Sequence, residues 1–192
     1  MDGVQTPKQQ LLQRVLAHAA EHGLADQSLR SIATGVGTSH RMLLYHFGSR
    51  EGLLAEIVAA IEEEQRTTLL ALVESATGPR ELMLALWRHL SQPGLRPAVR
   101  LFFEVLGLAA QGAPGTERLL ASLTDPWLDN GAQVAQRLQI DVDLRAIRVG
   151  VAVTRGLLLD LLAGADPDEV DAAYLTFADL YAAQATAHQI TK

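Results

Sequence analysis

The sequence predicts an all-α protein: an N-terminal three-helix head built as a helix-turn-helix, then a larger C-terminal helical body, about nine helices in all. Apolar residues recur at helical spacing along nearly the whole chain, and no stretch sustains the period-two alternation of a half-buried strand. Aromatic residues make up only 5% of 192 positions while alanine and leucine recur throughout, a balance that suits packed helices rather than sheets. Glycine and proline gather between the periodic stretches, where breakers belong.

The first helix is predicted from Thr6 or Pro7 to His22, with Leu12, Val15, Leu16, Ala19 and Ala20 inward and Gly23 as a left-handed stop. Ser28 can cap a short second helix whose buried side is Leu29, Ile32, Ala33 and Val36, ended by Gly35 and Gly37. A short third helix opens at Thr38 or Ser39 and closes near Gly48, with Leu43 and Phe47 four apart on its inner face. Ser49 then caps a long fourth helix reaching about Ser75. Gly78-Pro79, Pro93-Gly94, Gly112 to Gly115, Gly131 and Gly164 set helices near 79–91, 94–111, 115–139, 143–163 and 167–188. Within the third of these, Asp125-Pro126 permits either a kink or two separate helices. Asp166, Pro167 and Glu169 give the last helix a capping-box start. The head is placed at 1–50 and the body at 51–192.

Composition narrows the function. The absence of cysteine excludes disulfides and thiolate metal sites. The most apolar run, Gly150 to Gly164, holds Arg155 and Asp160 and is too short to span a bilayer, and the N-terminus lacks a basic-then-apolar leader. A cytoplasmic protein without a membrane partner is expected. The net charge of −6 is unevenly spread: residues 1–50 hold five basic and three acidic side chains, +2, which leaves −8 for the rest. A basic head and an acidic body would orient the molecule on a polyanion.

Two short helices joined through glycine and followed by a capped longer one, Ser28 to Leu54, are the grammar of a helix-turn-helix. At about 100° per residue, Leu43 and Phe47 of the third helix face the core while His40, Arg41, Leu44 and Tyr45 cluster opposite. That outer face suits DNA. Arginine can bond guanine bidentately, histidine can donate to a base edge or phosphate, leucine can touch a thymine methyl, and a tyrosine hydroxyl can bond a phosphate.

In Ile32-Ala33, Gly37-Thr38-Ser39, Leu43, His46-Phe47-Gly48-Ser49-Arg50 and Leu53 the chain resembles the TetR family of transcriptional regulators, over roughly residues 8–60. The resemblance implies a homodimeric regulator, most often a repressor, that binds a palindromic double-stranded operator and answers to a small-molecule effector bound in its body. It implies phosphate contacts at Ser28, Thr38, Tyr45, His46 and Arg50, and base reading at His40, Arg41 and Met42; Ser39 is added to the phosphate contacts, and Leu44, from its place on the outer face, to the base readers. The family commonly carries tyrosine where this chain has Leu44, and lysine where it has Arg50.

Beyond the head, Trp87, His89, Phe102, Phe103 and Trp127 are candidates for a largely apolar effector pocket, and equally for plain core. A homodimer joined by the last two helices would use Val153, Leu157, Leu161, Tyr174, Phe177 and Tyr181. The triplet Glu62-Glu63-Glu64 reads as a solvated helix face. Asp141, Asp143, Asp166, Asp168 and Asp171 lack the spacing of a calcium loop and read as helix caps. His18, Glu21 and His22 match a zinc-peptidase pattern, but they coincide with an ordinary helix C-terminus, and neither metal nor cofactor is expected. Two other readings compete with the regulator: a helical small-molecule binding or adaptor protein with a degenerate helix-turn-helix, and an enzyme, for which those three residues would be the sole candidate site.

Overall fold

The computed structural model describes residues 5–24 and 27–190. Among them lie ten α-helices and a 3₁₀ turn at Pro93–Leu95. The helices are α1 (Pro7–His22), α2 (Leu29–Gly35), α3 (His40–Phe47), α4 (Arg50–Leu72), α5 (Pro79–Leu90), α6 (Arg96–Ala110), α7 (Glu117–Ala121), α8 (Asp125–Arg137), α9 (Leu144–Ala163) and α10 (Pro167–Ile190). The tenth helix arises where one was expected over 115–139. Asp125 and Pro126 form the first turn of a new helix, since proline fits where no backbone donor is needed and cannot continue a helix interior.

Hydroxyl caps fix the head. Thr6 accepts from the Gln9 amide while the Gln9 side chain accepts from the Thr6 amide, a reciprocal capping box. Ser28 accepts from the Ser31 amide and Ser39 from the Met42 amide, each at 3.2 Å. Gly23 does take a positive φ of 68°, but its ψ of 173° lies outside the left-handed helical region expected of it. The inner face of α1 turns on Leu11 and Val15, both essentially inaccessible; Leu12, Leu16 and Ala19 are half-buried at its flank, and the Ala20 side chain lies outside the described residues.

The chain divides into two compact units. One comprises Met1–Ile61 with Leu101–Ala121, the other Glu62–Arg100 with Ser122–Lys192. In the first, Val15, Ile32, Leu43, Leu53 and Val105 are all at 0% exposure. Each such side chain contributes roughly 1.5–3 kcal/mol by leaving water. The core of the second gathers Leu69, Val73, Leu82, Trp127 and Val134. There α5 lies along α10, where Trp87 stacks on Tyr174 with centroids 4.4 Å apart and donates to Asp171 at 2.6 Å. On α8, Gly131 has no room for a side chain, because a Cβ there would meet Ile147 of α9 at 2.7 Å.

Two sequence readings need correction. Glu62 is not on a solvated face: its carboxylate accepts from Trp127 at 2.6 Å and from Arg155 at 3.2 Å, and only 17% of its side chain is exposed. It shares a helix face with Gln65, Leu69 and Val73, at spacings of three, seven and eleven, whereas Glu63 and Glu64 point outward. Asp171 is a tertiary acceptor for Trp87, not a cap, although Asp143 and Asp166 do accept from the Arg145 and Asp168 amides.

Candidate DNA-binding interface

The third helix is short because Ser39 starts it and Gly48, at φ 77°, ends it. Its eight residues present two different faces. Leu43 and Phe47 are buried, while Arg41, Met42, Leu44 and Tyr45 are exposed and His40 and His46 half-exposed. Tyr45 is 79% exposed, against 38% for its neighbour Leu44. Its ring meets His46 edge-on at 5.0 Å, and His46 leans toward Phe47 in turn. The outer face therefore combines a cation, a thioether, an imidazole and a phenol on one short helix, the chemistry needed to meet base edges and phosphates together.

Cations from neighbouring helices hold this element in place. Arg14 of α1 donates to the Val36 carbonyl at 3.2 Å, in the turn between α2 and α3. Lys8 lies 5.5 Å over the Phe47 ring and donates to Glu56 of α4 at 2.6 Å. Arg50, expected on phosphate, is half-buried, and its Nε donates to the Gln27 carbonyl at 3.3 Å, so it braces the start of α4 against the approach to α2. Ser28 and Ser39 are exposed caps and Thr38 is half-buried between them in sequence. Arg30, which sequence reasoning passed over, is exposed on α2.

His18 and His22 have structural engagements. Their rings stack at 4.5 Å, His18 Nε2 pairs with Gln27 Oε1 at 3.1 Å, and Glu21 stands 3.9 Å from His22. The His18 ring fills the space over Gly35, where any Cβ would run into it. Among the described residues no group of three or more histidine or acidic side chains is placed to hold a metal ion.

Phe102 and Phe103 belong to the first unit, where they meet edge-on at 5.1 Å. Trp87, His89 and Trp127 belong to the second and sit in or beside its core. Around them lie polar groups that sequence reasoning missed. His89 Nε2 meets the buried Gln65 Oε1 at 2.7 Å, which makes Nε2 the donor, and Gln92 meets the other ring nitrogen at 3.2 Å. Arg155 donates both to Glu62 and to the Leu123 carbonyl at 2.8 Å. Burial pulls its guanidinium below the ordinary arginine value, with Glu62 opposing. A charge inside the most apolar run of the chain was the available signal. Tyr174 is pushed above its usual range by burial, against a hydrogen bond with Thr154.

Of the residues expected at a dimer face, Leu161 and Tyr174 are buried within the chain itself and Val153, Leu157, Phe177 and Tyr181 are half-buried. Among the described residues the exposed large apolar side chains of α9 and α10 are Leu144, Val149, Leu159, Leu175 and Leu180. No helix among the described residues is long and apolar enough to cross a membrane.

Residues 9–57 match the family model described as bacterial regulatory proteins, tetR family. No curated protein matches the chain. Among solved structures, a TetR-family transcriptional regulator from Pectobacterium atrosepticum is 21% identical with a TM-score of 0.67, covering 90% of each chain. The multidrug binding protein EbrR, complexed with imidazole, is 21% identical with a TM-score of 0.62, over 93% of this chain and 96% of its own. A protein from Saccharomonospora viridis in complex with choline is 20% identical with a TM-score of 0.65, over 90% of this chain and 95% of its own. At these identities the likeness is one of fold, and it extends over the length of both chains.

Proposed function

We propose that this chain, with a tetR-family head at residues 9–57 on the all-helical fold that the family's regulators share, is a DNA-binding transcriptional repressor released by a small molecule. The observation that carries the reading is the division of α3: two side chains bury it, and Arg41, Met42, Leu44 and Tyr45 stand out together on a helix braced by Arg14 and Lys8. A face that only met water would be polar, whereas this one exposes Met42, Leu44 and Tyr45 beside a cation. Two copies, joined through α9 and α10, would set two such helices in successive major grooves of a palindromic operator.

The effector is assigned to the second unit. Its apolar core is flanked by the buried Gln65 and the partly buried Glu62, His89 and Arg155, beside the Trp127 indole, and a few fixed polar groups in apolar surroundings are what a small-molecule site requires. The imidazole and choline held by two proteins of this fold accord with such a site.

Selection of bound duplexes from a random library tests the reading. An inverted repeat should emerge, bound with strong salt dependence. A pool that stays random after repeated rounds would overturn the regulator and leave the helical ligand-binding alternative.

A further inference from the structure

The first turn of α4 is held from outside by a loop far along the sequence. Ser49 uses its hydroxyl in both directions: the oxygen accepts from the Gly52 amide at 2.9 Å, capping α4, and the hydroxyl donates to the Pro114 carbonyl at 2.9 Å. One residue beyond, the backbones themselves touch. A Cβ on Gly115 would stand 2.9 Å from the Gly52 Cα and 3.3 Å from its nitrogen, and Gly115 has φ 86°. Gly52 in turn admits no side chain, because its Cβ would run into the Phe47 carbonyl oxygen at the end of α3. Backbone lies on backbone at this point, with α3, α4 and the loop in series.

Local hydrogen bonds close the loop on itself. Thr116, 1% exposed, donates its hydroxyl to the Ala113 carbonyl at 2.6 Å, and the Gly115 amide donates to Glu117 at 3.2 Å. Arg118 of α7 stands 3.8 Å from Glu56, which also holds Lys8 of α1. The loop therefore rests on α4, and α7 joins the ion-pair group that reaches α1.

We propose that Gly115 and Gly52 are positioning residues for DNA binding: their contact sets the place of the α4 first turn, and with it Arg50 and the end of α3. This rests on the reading of the chain as a DNA-binding regulator. Neither glycine touches DNA in this scheme. Gly115 acts through Gly52, and the readout must separate position from mere stability.

A second glycine of the same loop supplies the control. Gly112 has φ 77°, so alanine there strains the backbone as alanine at 115 does, but nothing lies within 4 Å of its Cβ. Gly115→Asn is the complementary variant, because asparagine tolerates a positive φ but still brings a Cβ against Gly52. Affinity for a duplex selected by the wild-type protein would be measured by fluorescence anisotropy over a salt series, with melting temperature recorded for each variant. Gly115→Ala and Gly115→Asn should each bind roughly tenfold more weakly, with a salt slope lower by about one phosphate contact. Gly112→Ala should match the wild type in both affinity and slope while losing melting temperature as Gly115→Ala does. Hydrogen exchange should find the Gly52 and Leu53 amides less protected only in the two Gly115 variants, which keeps the test open should their affinity be too weak to fit. Equal affinity for the Gly115 and Gly112 variants, or unchanged exchange at Gly52, would overturn the proposal. A wild-type protein that binds no duplex would overturn the function reading instead.

Discussion

At the scale of single residues, Arg41 and Arg50 have different work although both lie in the matched segment. Arg41 is exposed on α3, whereas Arg50 is half-buried and bonded to the Gln27 carbonyl. Arg41→Ala should cost about 1–3 kcal/mol on the operator and relax preference at one base pair in each half-site, with folding untouched. Arg50→Ala should weaken selected and scrambled duplexes alike and also lower the melting temperature. Anisotropy on both duplexes checks this: equal losses for Arg41→Ala would move base reading to His40 or Met42. His18 offers a second residue-scale test, since its ring occupies the space a Gly35 side chain would need. Gly35→Ala should destabilise by about 1–3 kcal/mol through overpacking. Part of that loss should return in the His18→Ala background, which a double-mutant cycle by denaturant unfolding would measure. Additive losses would mean that the two positions do not press on each other.

At the scale of elements, what the sequence made legible was local. Ser28 and Ser39 cap helices because a short side-chain oxygen reaches the amide three residues on, a relation contained in four residues. Leu43 and Phe47 face inward because helical periodicity alone puts them there. Tertiary partners were not legible. Glu62 stands in an acidic triplet that reads as solvated, and only the arrival of Trp127 and Arg155, 65 and 93 positions away, makes it internal. The contact of Gly115 with Gly52 was hidden for the same reason, since glycine in a breaker cluster looks the same whether or not another backbone lies against it. The Glu62 cluster gives an element-scale prediction. Trp127→Phe keeps one aromatic ring but removes the indole donor and part of the buried bulk, so a mostly buried carboxylate loses a partner at a cost of about 1–3 kcal/mol, to which the lost packing adds. Urea unfolding should show a lower midpoint with an unchanged slope. No change in midpoint would mean that neither the indole donor nor its bulk stabilises the cluster.

At the scale of the whole molecule, the apolar surface left on α9 and α10 asks for a partner. Val149, Leu159, Leu175 and Leu180 are each more than two-fifths exposed, while Leu161 and Tyr174 are spent inside the chain. A second copy is the occupant proposed, since a symmetric operator needs two heads. Leu159→Glu should yield a folded monomer in sedimentation velocity and weaken operator binding far more than binding to a single half-site; a dimer as stable as the wild type would place the interface elsewhere. If the head grips duplex DNA, the stoichiometry of the complex shows it. The selected site would be titrated in an analytical ultracentrifuge as a full duplex and as one half-site. Two chains should sit on the full duplex, bound far more tightly than the half-site and released as salt rises. Sedimentation of protein and duplex as separate species at low salt would contradict it.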